Sequence, residues 1–284
     1  EVPGLGPDKG YTECIFTLRQ AERANKAWNK FIENPGPIVV GSVQGVSCFG
    51  PPYEYAFEVD TELRRRKIRH KVPITFVTSE PYIGHFGIGG LKTSRRVLED
   101  EFANRDIKII ANQAVEEFTP GEAKLKDGTK LPYKLSMFAP PFKGVPAVAP
   151  LGNPRGFIPV DKNYRHTKYS NILAVGVAMA IAPPEQTPVP TGVPKTGYMT
   201  VEMAKNAART IVADITGKPV SEPEPLGVLC LVDLGDSAVL IKAKPLLPPR
   251  QEAVLRKGIV YKWGKHAFER YFLWKMKHGL SGLP

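Results

Sequence analysis

The sequence predicts an α/β protein, and three observations carry this prediction. Short apolar runs typical of buried strands alternate with segments in which apolar residues recur at helical spacing. A glycine-rich turn follows one of these strands and leads into a helix. The 26 glycines and 28 prolines imply many tight turns, which suit a mixed α/β fold better than a helical bundle.

The first elements are a helix and then a strand, turn, helix and strand. Small and apolar residues at helical spacing predict a helix over residues 18–31, which the Asn-Pro-Gly-Pro run at 34–37 ends. A buried strand at 38–40 follows, then the glycine-rich turn, a helix over 53–67 and a strand at 74–78. This succession is the core of a dinucleotide-type βαβ unit.

The middle of the chain adds a helix, a strand and a small β-meander. Helical spacing extends over residues 91–104, and an apolar strand follows at 107–110. Residues 114–138 alternate short runs around Asp127-Gly128, a dipeptide that favours a tight hairpin turn. The apolar run at 171–180 predicts another buried strand.

Two helices are predicted in the last third of the chain. The first covers residues 197–215, and a Pro-rich linker follows at 219–225. The second is an amphipathic helix over 265–278. The apolar stripe of the first helix consists of Met199, Met203, Ala207 and Ile211.

Composition limits the function classes. The 284 residues suffice for about two domains, and no stretch reaches the roughly eighteen apolar residues of a spanning helix. The net charge is +11, and residues 239–284 hold ten Lys and Arg against two acidic residues. Such a basic C-terminal part is typical of proteins that bind nucleic acid or anionic lipid headgroups. The alternative is that the charge serves solubility alone. The three widely spaced cysteines predict a reducing compartment.

Two cysteines are candidates for redox chemistry. Cys48 lies where the glycine-rich turn leads into a helix, and there the helix dipole and free amides favour a thiolate. Cys230 lies in the apolar stretch 226–233, which is typical of a core strand. Each is also compatible with a small buried residue of no chemical role. Thiols far apart in sequence can nonetheless meet in a fold and act as an attacking and a resolving cysteine.

Two further segments are candidate sites. His85, between Gly84 and Gly87 after a strand end, suits proton transfer near neutral pH, although most loop histidines are inert. Residues 188–197 bring Lys195, small residues and free amides to one helix start, an arrangement suited to an anionic or electron-rich ring edge. A plain Pro-rich surface loop is the alternative. We predict no metal site.

Five separated motifs, in order along the chain, resemble those of the sulfide:quinone oxidoreductases, membrane-peripheral relatives of the flavin disulfide reductases. They are Gly45-Val46-Ser47-Cys48-Phe49-Gly50-Pro51, Ser79-Glu80-Pro81-Tyr82-Ile83-Gly84-His85, residues 188–199, Cys230 with Asp233, and His266-Ala267-Phe268-Glu269-Arg270-Tyr271-Phe272. The resemblance implies an α/β fold of two dinucleotide-binding-like (Rossmann-type) domains that hold FAD, the first incomplete here. It also implies a C-terminal amphipathic segment at a membrane surface.

The resemblance further implies roles for single residues. Sulfide would be oxidised at Cys48 and Cys230 on one face of the flavin, His85 would assist proton movement, and quinone would be reduced at the other face. The residues expected at the flavin are Gly176, Lys195, Thr196 and Gly197. Those expected at the quinone are Phe268, Leu231 and Tyr198.

The chain departs from the family pattern in several places. It lacks the G-x-G-x-x-G that would hold the FAD pyrophosphate, so it resembles the later part of a family member. Phe16 stands where relatives often carry a cysteine, and Cys14, two positions earlier, is a third candidate for sulfur chemistry. Gln20 replaces a family histidine, and Leu231 stands where some relatives have a phenylalanine.

The resemblance implies four regions. Residues 1–34 would end a flavin-domain segment with its crossover helix, 35–145 would form a Rossmann-like domain with the meander, and 146–220 would return to the flavin domain. Residues 221–284 would form the quinone- and membrane-associated region. The expected partners are sulfide, membrane quinone and an anionic membrane surface, with the protein peripheral (monotopic) on the cytoplasmic membrane. Homo-oligomerisation is left open.

The predicted activity is FAD-dependent oxidation of sulfide to sulfane sulfur or polysulfide, coupled to two-electron reduction of quinone. One alternative is an NADH:quinone oxidoreductase of the same architecture, but the turn after Val40 lacks the dinucleotide fingerprint and Glu80 lacks its glycine partners. The other is a basic lipid-binding module without catalysis. Nucleic acid is not an expected partner, because no binding motif is present and the aromatic residues of the basic end follow helical spacing.

Overall fold

A computed structural model describes residues 2–8 and 10–280 as an α/β fold with three sheets. In chain order the elements are α1 (Leu18–Glu33), β1 (Ile38–Ser42), α2 (Gly50–Arg65), β2 (Ile74–Thr78), α3 (Ser94–Asn104), β3 (Ile107–Ile110), β4 (Val115–Thr119), β5 (Glu122–Leu125), β6 (Lys130–Pro132), β7 (Leu135–Ala139), α4 (Gly197–Thr216), β8 (Val228–Asp233), β9 (Ala238–Lys244), β10 (Glu252–Gly258) and α5 (Ile259–Lys277).

The central sheet is parallel, with the strand order β3-β2-β1-β7. Every residue of β1 and β7 is buried, as expected for parallel strands covered on both faces. Gly41 in β1 must be glycine, because a Cβ there would lie 1.9 Å from the carbonyl oxygen of Val77. This sheet confirms the predicted βαβ unit and the Rossmann-like α/β fold.

Two predicted helices begin at different residues from those expected. The helix predicted over 53–67 begins at Gly50, since the prolines that follow are tolerated in a first helical turn. The helix predicted over 91–104 begins only at Ser94. Gly89 and Gly90, directly before the predicted start, have positive φ, and residues 92–93 form a turn instead of a helix.

The predicted meander is correct for three strands and wrong for its last run. Strands β4, β5 and β6 form an antiparallel sheet, and the turn between β5 and β6 has Gly128 at φ +89°. The last run, Leu135–Ala139, instead pairs in parallel with β1. Because this run is buried along its whole length, it belongs to the central sheet and not to a half-exposed meander.

The strand predicted at residues 171–180 is wrong. This fully described segment has only isolated bridges, such as Ile158 with Met179, and a 3-10 turn at Gly176–Ala178. Gly176 has φ +66°, which interrupts an extended strand. The helix predicted next is confirmed as α4, except that Ile211 is 43% exposed while Thr210 is buried in its place.

Two features of the C-terminal part were not predicted. Strands β8, β9 and β10 form an antiparallel sheet, of which only β8 was expected. Helix α5 begins at Ile259, six residues before the predicted start, and none of its residues is buried. Strand β8 packs against α2 and α4 on the body of the protein and against α5. Within residues 2–8 and 10–280, no helix is long and apolar enough to cross a membrane.

Candidate active site

The fold brings Cys48 and Cys230 together. Cys48 lies two residues before α2, and Cys230 lies in the middle of β8, which packs against α2. The two thiols are within electrostatic range, because a charge on Cys48 contributes to raising the pKa of Cys230. Both are free and half-buried. A redox couple requires two neighbouring thiols, and these two come from different elements of the fold.

Burial determines the protonation of both thiols. It raises the pKa of Cys48 to about 11, with a further increase from Glu54 and a smaller opposing effect of the Gly50 amide. It raises the pKa of Cys230 to about 12, again with help from Glu54. The expectation that the helix start favours a Cys48 thiolate is therefore wrong, because desolvation outweighs the amide. At neutral pH both groups are thiols.

Glu54 and Lys265 were missed by the sequence analysis. Glu54, in the first turns of α2, accepts a hydrogen bond from the Asp233 amide at 2.9 Å and forms an ion pair with Lys265 of α5. Lys265 lowers the pKa of Cys230 and so partly opposes Glu54. No motif singled out these residues, because their charges meet only through the packing of α2, β8 and α5.

His85 is 1% exposed and makes two polar contacts through its ring. The Gly87 amide donates to Nδ1 at 3.1 Å, and Nε2 lies 2.7 Å from Oε1 of Glu185. The His85 loop also touches the Pro-rich segment, since a Cβ on Gly87 would lie 2.2 Å from the Gly192 carbonyl oxygen. Gly192 in turn donates to the Val46 carbonyl oxygen at 2.7 Å, which joins this segment to the Cys48 turn.

Lys195 lies just before α4, as predicted, and its ammonium group is fixed by hydrogen bonds and an aromatic contact. Its Nζ donates to the carbonyl oxygens of Val177 at 3.0 Å and Met179 at 2.7 Å. The same Nζ lies 3.5 Å from the ring centroid of Phe157. Burial, together with the charge of Arg155, lowers the Lys195 pKa to about 8. Lys195 is therefore a desolvated cation at a helix start.

The other residues predicted at a flavin surround this helix start. Thr196 is the N-cap of α4 and accepts from the Met199 amide at 3.3 Å, while Gly197 is exposed. Gly176 is buried, and a Cβ there would lie 2.8 Å from the Thr200 side chain. This donor set of ammonium and first-turn amides fits the polar edge of a ring that gains negative charge.

The turn after β1 does not fit a pyrophosphate. The Gly45 amide donates to the Pro190 carbonyl oxygen at 2.6 Å, and the Gln44 side chain bonds to both backbone groups of Val115. Amides that face a phosphate in a dinucleotide turn are thus partly used within the chain. The residues present fit a flavin ring edge and not the phosphates of a dinucleotide.

Glu80, at the end of β2, is fully buried and internally bonded. Its carboxylate accepts from the Tyr53 hydroxyl at 2.8 Å, the Thr78 hydroxyl at 2.8 Å and the Phe86 amide at 2.6 Å. Burial raises its pKa to about 7, although these hydrogen bonds lower it. The carboxylate holds the His85 loop and is not available to a ribose hydroxyl.

Cys14 lies beside β7 and is 2% exposed. Burial raises its pKa, against the backbone amides of Phe16 and Ile15, and Glu13 adds to the increase. The role of Cys14 in sulfur chemistry stays a prediction.

The residues predicted at a quinone lie on elements around β8. Leu231 follows Cys230 on that strand, Tyr198 is 42% exposed in the first turn of α4, and Phe268 is 59% exposed on α5. The Phe268 ring lies 5.9 Å from that of Phe272. Both α4 and α5 pack against β8, and a quinone contact of these three residues stays a prediction.

Comparison with known proteins shows which proteins are similar to this chain. No family model matches the chain. The sulfide-quinone reductase of Aquifex aeolicus is 43% identical over 274 residues, which cover 93% of this chain and 64% of that protein. The chain is a homologue of the sulfide-quinone reductases. It spans less than two thirds of the length of this relative.

Solved structures and a second relative agree with this homology. The crystal structure of the Aquifex aeolicus sulfide:quinone oxidoreductase matches with a TM-score of 0.93 and 42% identity, over 97% of this chain and 66% of that one. The mitochondrial sulfide:quinone oxidoreductase of Dictyostelium discoideum is 29% identical over 154 residues, covering 50% of this chain and 33% of its own. An NAD-dependent persulfide reductase from A. fulgidus, with a TM-score of 0.53 and 14% identity over 85% of this chain and 41% of that one, shares the fold alone.

Proposed function

We propose that this chain carries the thiol pair and the quinone contact of a sulfide:quinone oxidoreductase, a flavoprotein that oxidises sulfide and reduces membrane quinone. The observation that carries the proposal is the meeting of Cys48 and Cys230 where β8 packs against α2, α4 and α5. The homology to the Aquifex aeolicus sulfide-quinone reductase supports it.

The oxidised pair is the form that reacts with sulfide. Because burial keeps both thiols protonated at neutral pH, the reduced pair is a weak nucleophile. In the oxidised form a disulfide or sulfur bridge joins Cys48 and Cys230, and hydrosulfide attacks one of the bridging sulfurs. One sulfur–sulfur bond forms and one breaks, which leaves a persulfide on one cysteine and releases the other as a thiolate. The sulfide sulfur thereby gives up two electrons. The thiolate then takes up a proton, because burial raises its pKa.

The proposed cofactor is FAD, which when bound would accept these two electrons and pass them to quinone. Lys195 and the first amides of α4, at Thr196 and Gly197, would hold the polar edge of its ring. Gly176 would admit the close approach of backbone to helix that this site needs. The turn after β1 would not hold the pyrophosphate, since its Val43 and Gly45 amides bond within the chain.

Helix α5 is the proposed contact with the membrane. Its large apolar side chains are exposed, and the basic residues of the C-terminal part suit anionic headgroups. Quinone would reach the protein at this helix, near Phe268, Leu231 and Tyr198. The protein would then be peripheral (monotopic) on the cytoplasmic membrane, with the oligomeric state open. The exposed apolar residues of α5 are Ile259, Val260, Trp263, Phe268, Phe272, Leu273, Trp274 and Met276.

The four-region organisation is part of this proposal. Residues 1–34 and 146–220 would belong to the flavin domain, 35–145 to the Rossmann-like domain and 221–284 to the quinone- and membrane-associated region. The end of that last region, residues 281–284, lies outside the described residues.

The NADH alternative lacks support in the structure. Glu80 occupies the strand end from which an acidic residue would bind the nucleotide ribose, but its carboxylate is buried and bonded to Tyr53, Thr78 and Phe86. A nucleotide could use this carboxylate only after the His85 loop had opened.

An anaerobic titration of the flavin-loaded protein tests the proposal. Sulfide should bleach the flavin absorbance and quinone should restore it, whereas NADH should leave it unchanged. Cys48→Ser and Cys230→Ser should abolish sulfide-driven bleaching, and Cys14→Ser is the matched control, with a milder effect. Bleaching by NADH alone, or near-normal turnover in either of the first two variants, would contradict the proposal.

A further inference from the structure

The His85 ring is held by one donor and one acceptor, which together determine where its proton lies. The backbone amide of Gly87 can only donate, so Nδ1, 3.1 Å away, must accept with its lone pair. The proton of the neutral ring is then on Nε2, which faces Oε1 of Glu185 at 2.7 Å. A proton on Nδ1 would break the bond to Gly87.

Glu185 connects this buried ring to a second segment of the chain. Its side chain is 56% exposed and belongs to the Pro-rich segment that leads to Lys195. The Arg250 guanidinium lies close enough to Glu185 for their charges to interact, and it donates to the carbonyl oxygens of Ile88 at 2.6 Å and Gly89 at 2.7 Å. Glu185 therefore lies where three segments meet: the His85 loop, the Pro-rich segment and the connection between β9 and β10.

The same Pro-rich segment is bonded to the Cys48 turn at its other end. Two backbone hydrogen bonds join them: the Gly45 amide to Pro190 at 2.6 Å and the Gly192 amide to Val46 at 2.7 Å. Residues 185–192 are thus attached to the Cys48 turn by these two bonds and to the His85 loop by Glu185. Lys195 follows directly.

We propose that the Gly87 amide and Glu185 together hold His85 in the tautomer with its proton on Nε2, and that the His85–Glu185 pair positions residues 185–194 and the approach to Lys195 against the Cys48 turn. His85 is then a positioning residue, a fixed hydrogen-bond donor, and not the proton carrier that the family resemblance implies. The effect of the His85–Glu185 pair on catalysis rests on the proposed function, whereas the geometry of the pair does not.

Two measurements on the chain test this proposal without sulfide, quinone or flavin. The first is the ¹⁵N NMR spectrum of the His85 ring, in which the neutral form should carry its proton on Nε2. The second is hydrogen exchange of the Gly45 and Gly192 amides, which report the attachment of the segment. Glu185→Ala and His85→Asn should speed this exchange about tenfold, the effect of losing one hydrogen bond to a charged group.

Conservative variants separate positioning from proton transfer. His85→Gln places an amide N–H near the position of Nε2, and Glu185→Gln keeps an acceptor oxygen, so both should leave exchange at Gly45 and Gly192 close to that of the native chain. Glu222→Ala, which removes an exposed ion pair with Lys162 at 2.9 Å, is the matched control. The Gly128 amide, in the distant β-meander, reports any global destabilisation.

Three results would overturn the proposal. They are a neutral His85 ring with its proton on Nδ1, unchanged exchange in both Glu185→Ala and His85→Asn, and equal exchange in His85→Gln and His85→Asn. If a variant also speeds exchange at Gly128, it destabilises the whole fold, and its exchange rates do not test the proposal. The proposal then stands or falls with the His85 tautomer measured in the native chain. In the flavin-loaded protein, His85→Gln should keep the pH profile of quinone reduction, which loss of a proton carrier would change. Failure of sulfide to reduce the flavin would refute the proposed function alone.

Discussion

Lys265 of α5 forms an ion pair with Glu54 of α2, and this pair lies beside both thiols of the candidate site. It joins the exposed C-terminal helix to the helix that follows Cys48. The charge of Glu54 raises the pKa of both thiols, while that of Lys265 lowers the pKa of Cys230. The ion pair therefore couples the position of α5 to the reactivity of the thiols.

Replacing Glu54 should make Cys48 more reactive. Glu54→Gln removes a negative charge that raises the pKa of Cys48, so the pH midpoint of its alkylation should fall. The measurement is the rate of iodoacetamide labelling of Cys48 against pH, followed by mass spectrometry. Glu62→Gln, about two turns further along α2 and paired with Arg65 and Arg66, should leave the midpoint in place. A midpoint that rises or stays constant in Glu54→Gln would contradict the electrostatic role of this carboxylate.

Glu80 should make the stability of the chain depend on pH. Its pKa is raised to about 7 in the folded chain from an ordinary value of 4.5, so its stabilising contribution is complete below pH 4.5 and is lost as the pH rises through 7. We expect the native chain to lose roughly 3 kcal/mol over this interval relative to Glu80→Gln. Chemical denaturation of both proteins between pH 4.5 and 8 measures this difference. Glu252→Gln, at an exposed carboxylate, should show no such change, and parallel stability curves for the native chain and Glu80→Gln would refute the prediction.

Asp60 should be among the most costly positions to change. Its buried carboxylate is paired with Arg69 at 2.6 Å, Arg64 at 2.9 Å and Arg105 at 3.0 Å. Asp60→Asn removes the carboxylate charge shared by three arginines, and Arg105 keeps only its pairs with Asp236 and Glu101. Because a buried ion pair is broken, the free energy of unfolding should fall by about 3–5 kcal/mol. Asp100→Asn, which weakens only the exposed pair with Arg96, should change it by less than about 0.5 kcal/mol. Equal effects of the two variants would be incompatible with this account.

Helix α5 should bind vesicles through its apolar residues. Trp263 and Leu273 are 66% and 60% exposed, so Trp263→Ser with Leu273→Ser should leave the fold intact and reduce flotation with anionic vesicles by about tenfold or more per residue. Added salt should weaken the binding further, since it screens the basic residues. Leu18→Ser, at a 78% exposed position on α1, is the control. Undiminished flotation of the double variant would exclude α5 as the contact.

The sequence predicted those elements whose signal is local. Strands β1 and β2, helices α1 and α4 and the turn at Asp127-Gly128 follow from apolar periodicity and turn-forming residues in one short segment. The run Leu135–Ala139 was assigned to the wrong sheet, because its apolar pattern reports burial and not the identity of its neighbour. At residues 171–180 the apolar pattern correctly predicted burial for part of the segment. It wrongly predicted a strand, because Gly176 takes a left-handed conformation.

The same distinction, between local signals and contacts made only in the folded chain, applies to the candidate site. The sequence by itself determined the α/β class, the positions of Cys48, Cys230, His85 and Lys195 in loops, strands and helix starts, and the family that these motifs resemble. Only the tertiary structure decided that Cys48 lies within electrostatic range of Cys230, that burial keeps these thiols protonated, and that Glu54, Lys265 and Glu185 join the site. The physical reason is that desolvation and ion pairing depend on which segments pack together, and residues far apart in the chain acquire those neighbours only when it folds.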